Sequence, residues 1–328
     1  MHTRFFSNGT VPVSEIGLGC WQLGGGDWGP VSDDEAFDTL RGAVGSGVSF
    51  LDTADVYGDG RSETVIGKFL KASGDRPFVA TKLGRSQPPP GVPSFSPAAL
   101  RAATEASLGR LGVDALDLTQ LHCVPTEELR RGEVFDTLRA LQSEGKIVRF
   151  GASVESMDEA QICLAQPGLA SLQIIFNIFR QKPISALFGD AKDKGVALIV
   201  RLPLASGLLS GKYTRETQFA ASDHRTYNRD GAAFNVGETF AGLPFETGVS
   251  LADQIKPLVP PGMTMAQMAL RWCLDFDAVS TLIPGAKSAD MARANSLASD
   301  LPPLPPALHE QLTQLYDTQV AAAIRGPY

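Results

Sequence analysis

Val196-Ala197-Leu198-Ile199-Val200 is an unbroken apolar run that ends on Arg201. A strand with one wet face alternates polar and apolar residues. A run without alternation marks a strand buried on both faces, which calls for a parallel sheet covered by helices. A helical pattern over Ile184–Lys194 leads into the run, and Gly195 is placed to stop it. Working outward in both directions, the same unit recurs. Strands are expected at Glu15–Gly19, Val48–Asp52, Pro77–Lys82, Leu116–His122, Ile147–Ser153, Ser171–Phe176, Val196–Arg201 and Val279–Pro284. Between and around them, helices are expected at Asp34–Val44, Ser62–Lys71, Pro97–Arg110, Thr126–Ser143, Met157–Ala165, Ile184–Lys194, Met265–Leu274 and Ala289–Leu297. Ser32 and Ser96-Pro97 supply helix starts, and Gly45, Gly145 and Gly195 supply stops. Eight strand–helix units predict an α/β protein with a (β/α)8 TIM barrel, with an open doubly wound sheet as the competitor.

Two features flank this pattern. Arg4 to Val13 carries Asn8-Gly9 between short apolar runs, the signal of an N-terminal β-hairpin. After the seventh strand, Pro203 to about Thr264 breaks the rhythm, polar and Gly-rich from Lys212 to Thr247, with a helical stretch at Leu251–Leu258. A long loop after strand 7 belongs to the face that carries the active site. The 328 residues would accommodate two ordinary domains. No midchain linker divides them, and all eight strands are needed to close one barrel, so residues 1–328 read as a single domain.

Hydrophobic residues make up 43% and charged residues 20%, which excludes disorder and coiled coil as the main organisation. A net charge of −7 argues against a nucleic-acid or membrane partner, while leaving room for a small anion in a local basic pocket. No apolar run suits a signal peptide or a membrane span. Cys20, Cys123, Cys163 and Cys273 form no CxxC pair and read as reduced thiols of a cytoplasmic protein. His2, His122, His224 and His309 have no metal spacing, so no metal is expected. Gly24-Gly25-Gly26-Asp27-Trp28-Gly29 matches GxGxxG, but Pro30-Val31-Ser32 follows instead of a helix. The segment reads instead as a flexible first loop at a pocket mouth, with Trp21 and Trp28 lining a substrate pocket. Pro88-Pro89-Pro90 and Leu301–Pro306 read as connectors.

The chemistry is expected at the strand ends. Strands two, three and four run into Asp52, Lys82 and His122, with Tyr57 just beyond the second. One ionisable residue at a strand exit is usually only polar. Three on adjacent barrel strands, plus a tyrosine, read as catalytic. A free tyrosine titrates near 10, and a neighbouring ammonium lowers that value. Lys82 can serve so, Asp52 can hold Lys82, and His122 can orient a substrate oxygen. The set can protonate the alkoxide formed from a carbonyl, but it supplies no electrons. Carbonyl reduction therefore needs a hydride cofactor.

Phe50-Leu51-Asp52-Thr53-Ala54-Asp55-Val56-Tyr57-Gly58-Asp59-Gly60-Arg61-Ser62-Glu63 resembles the signature of the aldo-keto reductase superfamily. Lys82 and His122 match the family's other catalytic positions. The resemblance continues through Gly145–Ser153, Arg201–Tyr213, Arg271-Trp272 and Ile283–Ser288. It implies an oxidoreductase that reduces aldehydes and ketones with NADPH, NADH being the lesser choice. By resemblance Tyr57 is the general acid, tuned by Lys82 and Asp52, and His122 orients the carbonyl. Ser153 and Gln173 match positions that hold the nicotinamide carboxamide, and Arg201 stands where an aromatic often stacks on the ring. Leu204, Ser206, Gly207 and Lys212 match the pyrophosphate segment. Gly285, Lys287, Ser288 and Asn295 match the adenosine end. Val154 replaces a common Asn, and Met291 and Ala294 replace common polar residues, leaving Lys287 and Arg293 as cations for a 2′-phosphate. The resemblance leaves one alternative of another class, a cofactor-sensing regulatory subunit like the potassium-channel β-subunits. The oligomeric state is open.

Overall fold

The computed structural model describes residues 1–7, 9 and 11–328. Strands β1 (Thr3–Phe6) and β2 (Val11–Ser14) form the antiparallel N-terminal hairpin; Asn8 of the expected turn lies outside the described residues. Eight parallel strands follow: β3 (Leu18–Gly19), β4 (Phe50–Asp52), β5 (Phe78–Leu83), β6 (Leu118–His122), β7 (Phe150–Ser153), β8 (Ser171–Ile175), β9 (Ala197–Arg201) and β10 (Val279–Leu282). Each pairs with its sequence neighbour. The ring closes through parallel bridges Ile16↔Leu282 and Gly19↔Gly285. The (β/α)8 expectation holds, and the apolar run that suggested it is buried throughout β9.

Side-chain direction alternates along a strand, so residues two apart share a face. Phe50, Phe78, Ala80, Leu118, Ala197, Ile199 and Ile283 form a core of their own inside the barrel. Phe6 and Val13 of the hairpin join it, with the Phe6 ring 5.8 Å from Phe50 and 5.1 Å from Phe78. The hairpin thus plugs the N-terminal end. The intervening residues Leu51, Val79, Leu121 and Leu198 face outward into the larger core between strands and helices. Counting in twos from the inner layer reaches Asp52, Lys82, His122 and Arg201. The alternation that seats the plug therefore aims these four into the open C-terminal end.

The helices follow the expected pattern with instructive departures. The helix expected over Thr126–Ser143 breaks into Thr126–Arg131 and Glu133–Ser143, because Gly132 takes φ +82°, a left-handed turn incompatible with a continuous helix. The one expected over Ile184–Lys194 starts at Pro183 and splits at Leu187, which leaves the helical region. In the long loop the helix runs Phe245–Ile255, earlier than Leu251–Leu258. The proline connector ends as a helix start: Pro306 opens Pro306–Leu315, where proline's missing N–H costs nothing. Among the described residues no helix is long and apolar enough to cross a membrane. All four cysteines are free.

Candidate active site

The ammonium of Lys82 is the hub of the open end. Its Nζ donates to Asp52 Oδ2 at 2.6 Å, to the Thr53 carbonyl at 2.9 Å and to the Tyr57 hydroxyl at 3.1 Å. Asp52 is fixed from its other oxygen, which accepts from Gln173 Nε2 at 2.7 Å and Gln120 Nε2 at 3.4 Å. Lys82 and Asp52 are almost fully buried. The Tyr57 ring lies edge-on to His122 at 5.9 Å and stacks on Trp21 at 5.8 Å. The loop bearing Tyr57 is held by a close backbone approach. A Cβ on Gly58, itself at φ +60°, would fall 2.1 Å from the Gly24 carbonyl oxygen, and one on Gly24 would meet the Tyr57 backbone at 2.7 Å.

Burial raises the Tyr57 hydroxyl's pKa, and the pull of Lys82 in the other direction does not overcome it. The expected downward pull of Lys82 is present, but burial outweighs it, so the net value stands above that of a free tyrosine. Burial alone would discharge Lys82, but Asp52 and then Tyr57 more than offset it and hold the ammonium charged. Burial holds His122 well below its ordinary value, and Arg85 and Lys82 push the same way, so its imidazole is neutral. Its Nδ1 is buried without a protein partner.

Asp52, Tyr57 and His122 floor a cavity of about 360 Å³, and Lys82 is buried outside its lining. The wall near Tyr57 and His122 carries Trp21, Trp28, Gln173 and Arg201; the far end carries Leu204, Ser206, Gly207, Lys212, Gly285 and Lys287. Most of the expected site residues are thus brought together. Ser153 is buried beside Cys123, outside the lining, with Sγ and Oγ 3.8 Å apart. Ser288 and Asn295 also stand back. Ser288 caps the helix Ala289–Ser296, and Asn295 donates to the Gly285 carbonyl, so both support the wall. Arg293 is paired with Asp290 on an exposed helix face and is not in the lining, whereas Lys287 is.

The basic end fits a dinucleotide. Ala205, Ser206 and Gly207 turn through successive positive φ angles of +49°, +54° and +98° at the cavity, and Lys212, Arg225 and Lys287 line the same end. The N–H groups of Ala205 and Gly207 are taken by the carbonyls of Leu202 and Leu204, so the positive charge at this end comes from the three side chains. The first loop and the long loop meet there. Trp21 Nε1 and the Tyr227 hydroxyl both donate to Asp27, at 3.0 and 2.6 Å. The Arg225 guanidinium lies 4.8 Å over Trp28, and Lys287 donates to the Trp28 carbonyl. The first loop forms two short 3-10 turns, Trp21–Gly24 and Gly26–Trp28, and meets the long loop at the cavity.

A model of the Aldo/keto reductase family matches residues 15–317. The chain belongs to the aldo/keto reductase family. Aldo-keto reductase str7 of Strobilurus tenacellus is 33% identical over 303 residues, 88% of this chain and 85% of that one. The NADH-specific methylglyoxal reductase of Escherichia coli is 29% identical over 308 residues, 89% and 91% of the two chains. Among solved structures, the holo form of aldo-keto reductase AKR11C1 from Bacillus halodurans superposes with a TM-score of 0.78 at 26% identity, covering 99% of this chain and 98% of that one. This aldo/keto reductase is accordingly an NAD(P)H-dependent oxidoreductase.

Sequence reading missed Gln22, Arg85, Tyr213 and Glu238 in the lining. Arg85 follows Lys82 by three residues at the β5 exit, and the strand-end rule extended by one turn would have found it. Glu238 carries no such signal, being one acid in a long polar loop. Arg85 donates to Glu238 at 2.7 Å and to Glu155 at 3.1 Å. Cys123, Glu155 and Glu238 bring ligand-type atoms within 4.8 Å of one another, but the Arg85 and Arg201 guanidiniums already occupy that cluster.

Proposed function

We propose that this aldo/keto reductase converts aldehydes or ketones to alcohols, with Tyr57 as the proton donor. The observation that carries the reading is the bridge of Lys82 between Asp52 and the Tyr57 hydroxyl, on a cavity floor shared with His122. Bound NAD(P)H supplies the hydride that the carbonyl carbon takes up. The carbonyl oxygen lies between the Tyr57 hydroxyl and the neutral His122 ring. As charge builds on that oxygen, Tyr57 gives up its proton, and the Lys82 ammonium stabilises the phenolate left behind. Asp52, braced by Gln173, keeps Lys82 charged and in line.

Gln173 donates one amide N–H to Asp52, which leaves its second N–H and Oε1 for a nicotinamide carboxamide. Arg201 presents its planar guanidinium where an aromatic would stack. Lys287 at the far end favours NADPH over NADH by offering its charge to a 2′-phosphate.

Tyr57→Phe tests the assignment. Carbonyl reduction, followed by cofactor absorbance over a panel of aldehydes and ketones, is expected to vanish, while cofactor affinity by fluorescence titration stays near that of the parent. Turnover close to the parent's in this variant would overturn the assignment.

A further inference from the structure

We propose that Glu238 is a positioning residue that sets the charge of the Arg201 platform, and through it the balance of affinity between oxidised and reduced cofactor. The inference rests on the cofactor placement proposed above. Arg201 ends β9 on the cavity wall. Its Nη2 donates to the Val154 carbonyl at 3.1 Å, and its Nη1 lies 3.5 Å from Glu238 Oε1. Its Nε is buried without a protein partner. A planar guanidinium can replace an aromatic as a stacking surface. It differs in one respect: it is charged.

The oxidised nicotinamide ring carries a positive charge and the reduced ring is neutral. An uncompensated guanidinium against the ring would therefore repel only the oxidised form. Two acids act on Arg201: Glu155, just beyond β7, acts through space, and Glu238 of the long loop acts by contact. Glu238 arrives on the short 3-10 turn Val236–Glu238 and is buried against Arg201 and Arg85. Although burial opposes ionisation, Arg201 and then Arg85 hold its carboxyl down at about 2. Glu155 takes a share of Arg85. The remaining neighbour, Cys123, lies 3.7 Å from both Arg201 and Glu238, and burial pushes its thiol up to about 12, so it adds no charge. Two guanidiniums thus face two carboxyls, and Glu238 is the one that touches both cations.

The test is a pair of dissociation constants, for oxidised and reduced cofactor, measured by titration without substrate. Both NADP(H) and NAD(H) serve as probes. Glu238→Gln is expected to weaken the oxidised form relative to the reduced one by about tenfold, a conservative figure for one unit charge near a surface cleft. Arg201→Met is expected to shift the ratio the opposite way, and the double variant to return toward the parent's ratio. Arg201→Met strands no buried cation, so it keeps the test decisive if Glu238→Gln fails to fold. Equal weakening of both forms by each variant, or shifts of the same sign, would overturn the proposal and mark Glu238 as a structural pair only. A parent enzyme that binds no nicotinamide dinucleotide in either form would instead refute the cofactor placement itself.

Discussion

The two ends of the barrel are built from the same strands and have opposite characters. At the N-terminal end the inward residues are Phe50, Phe78, Leu118 and Ala197, sealed by Phe6 of the hairpin. At the C-terminal end, reached by the same two-residue steps, they are Asp52, Lys82, His122 and Arg201. The base satisfies itself by packing. The rim does not: His122 Nδ1, Gln120 Oε1 and Arg201 Nε are buried there without protein partners. Unpaired buried polar atoms cost stability; Trp28, His122 and Arg201 carry theirs at the cavity, while those of Thr119, Ser171 and Trp272 lie away from its lining.

The sharpest way to break this contrast is to exchange roles between the ends. Lys82→Met at the rim is expected to lower kcat by about 10²–10⁴-fold, the usual worth of a positioned acid–base partner, and to lower the melting temperature as well, because it strands the Asp52 carboxylate in the barrel. A variant that keeps the parent's kcat would show that Lys82 serves stability alone. Phe6→Ala at the base is the converse. Phe6 is fully buried between two rings, so its truncation is expected to cost about 3–4 kcal/mol by denaturant unfolding, with kcat unchanged well below the melting transition.

Asp55, behind the Tyr57 loop, tests whether the rim's cost depends on pH. Burial raises its carboxyl to about 6, against the pull of the Ser86 hydroxyl, which donates to it at 2.5 Å. A carboxyl raised in the folded state favours folding while protonated. Its contribution is present below the ordinary value of 3.8 and is lost as pH rises to about 6. Asp55→Asn is expected to remove this fall and to stabilise the protein by about 3 kcal/mol at pH above the transition. Parallel pH–stability curves for parent and variant would refute it. The smallest effect is expected at the exposed end of the cavity. Lys287→Ala should raise the dissociation constant for NADPH by about fivefold and leave that for NADH unchanged, as one solvent-screened phosphate contact allows. An equal change for both would assign Lys287 to the pyrophosphate or to holding Trp28.

Much of this was legible in the chain. Unalternated apolar runs called for parallel strands, and the polar residue closing each one called for the rim, because both are consequences of local order along a strand. Asp52, Tyr57, Lys82 and His122 could be named this way. Boundaries were less legible where one residue's backbone decides: Gly132 splits a helix whose apolar periodicity continues across it, and Pro306 starts a helix inside a proline-rich connector. Glu238 was not legible, since its partners lie 153 and 37 residues away and nothing local distinguishes it from other acids of the loop.

By itself, then, the sequence determined the barrel, its polarity and the grouping of Asp52, Tyr57, Lys82 and His122 at one end, because strand alternation and strand order are local properties that add up to one ring. Only the tertiary structure decided the upward pKa shift of the Tyr57 hydroxyl, the clasp between the first loop and the long loop, and the pairing of Arg201 with Glu238. Those depend on burial and on charges brought together from distant segments, and neither quantity exists until the chain has folded.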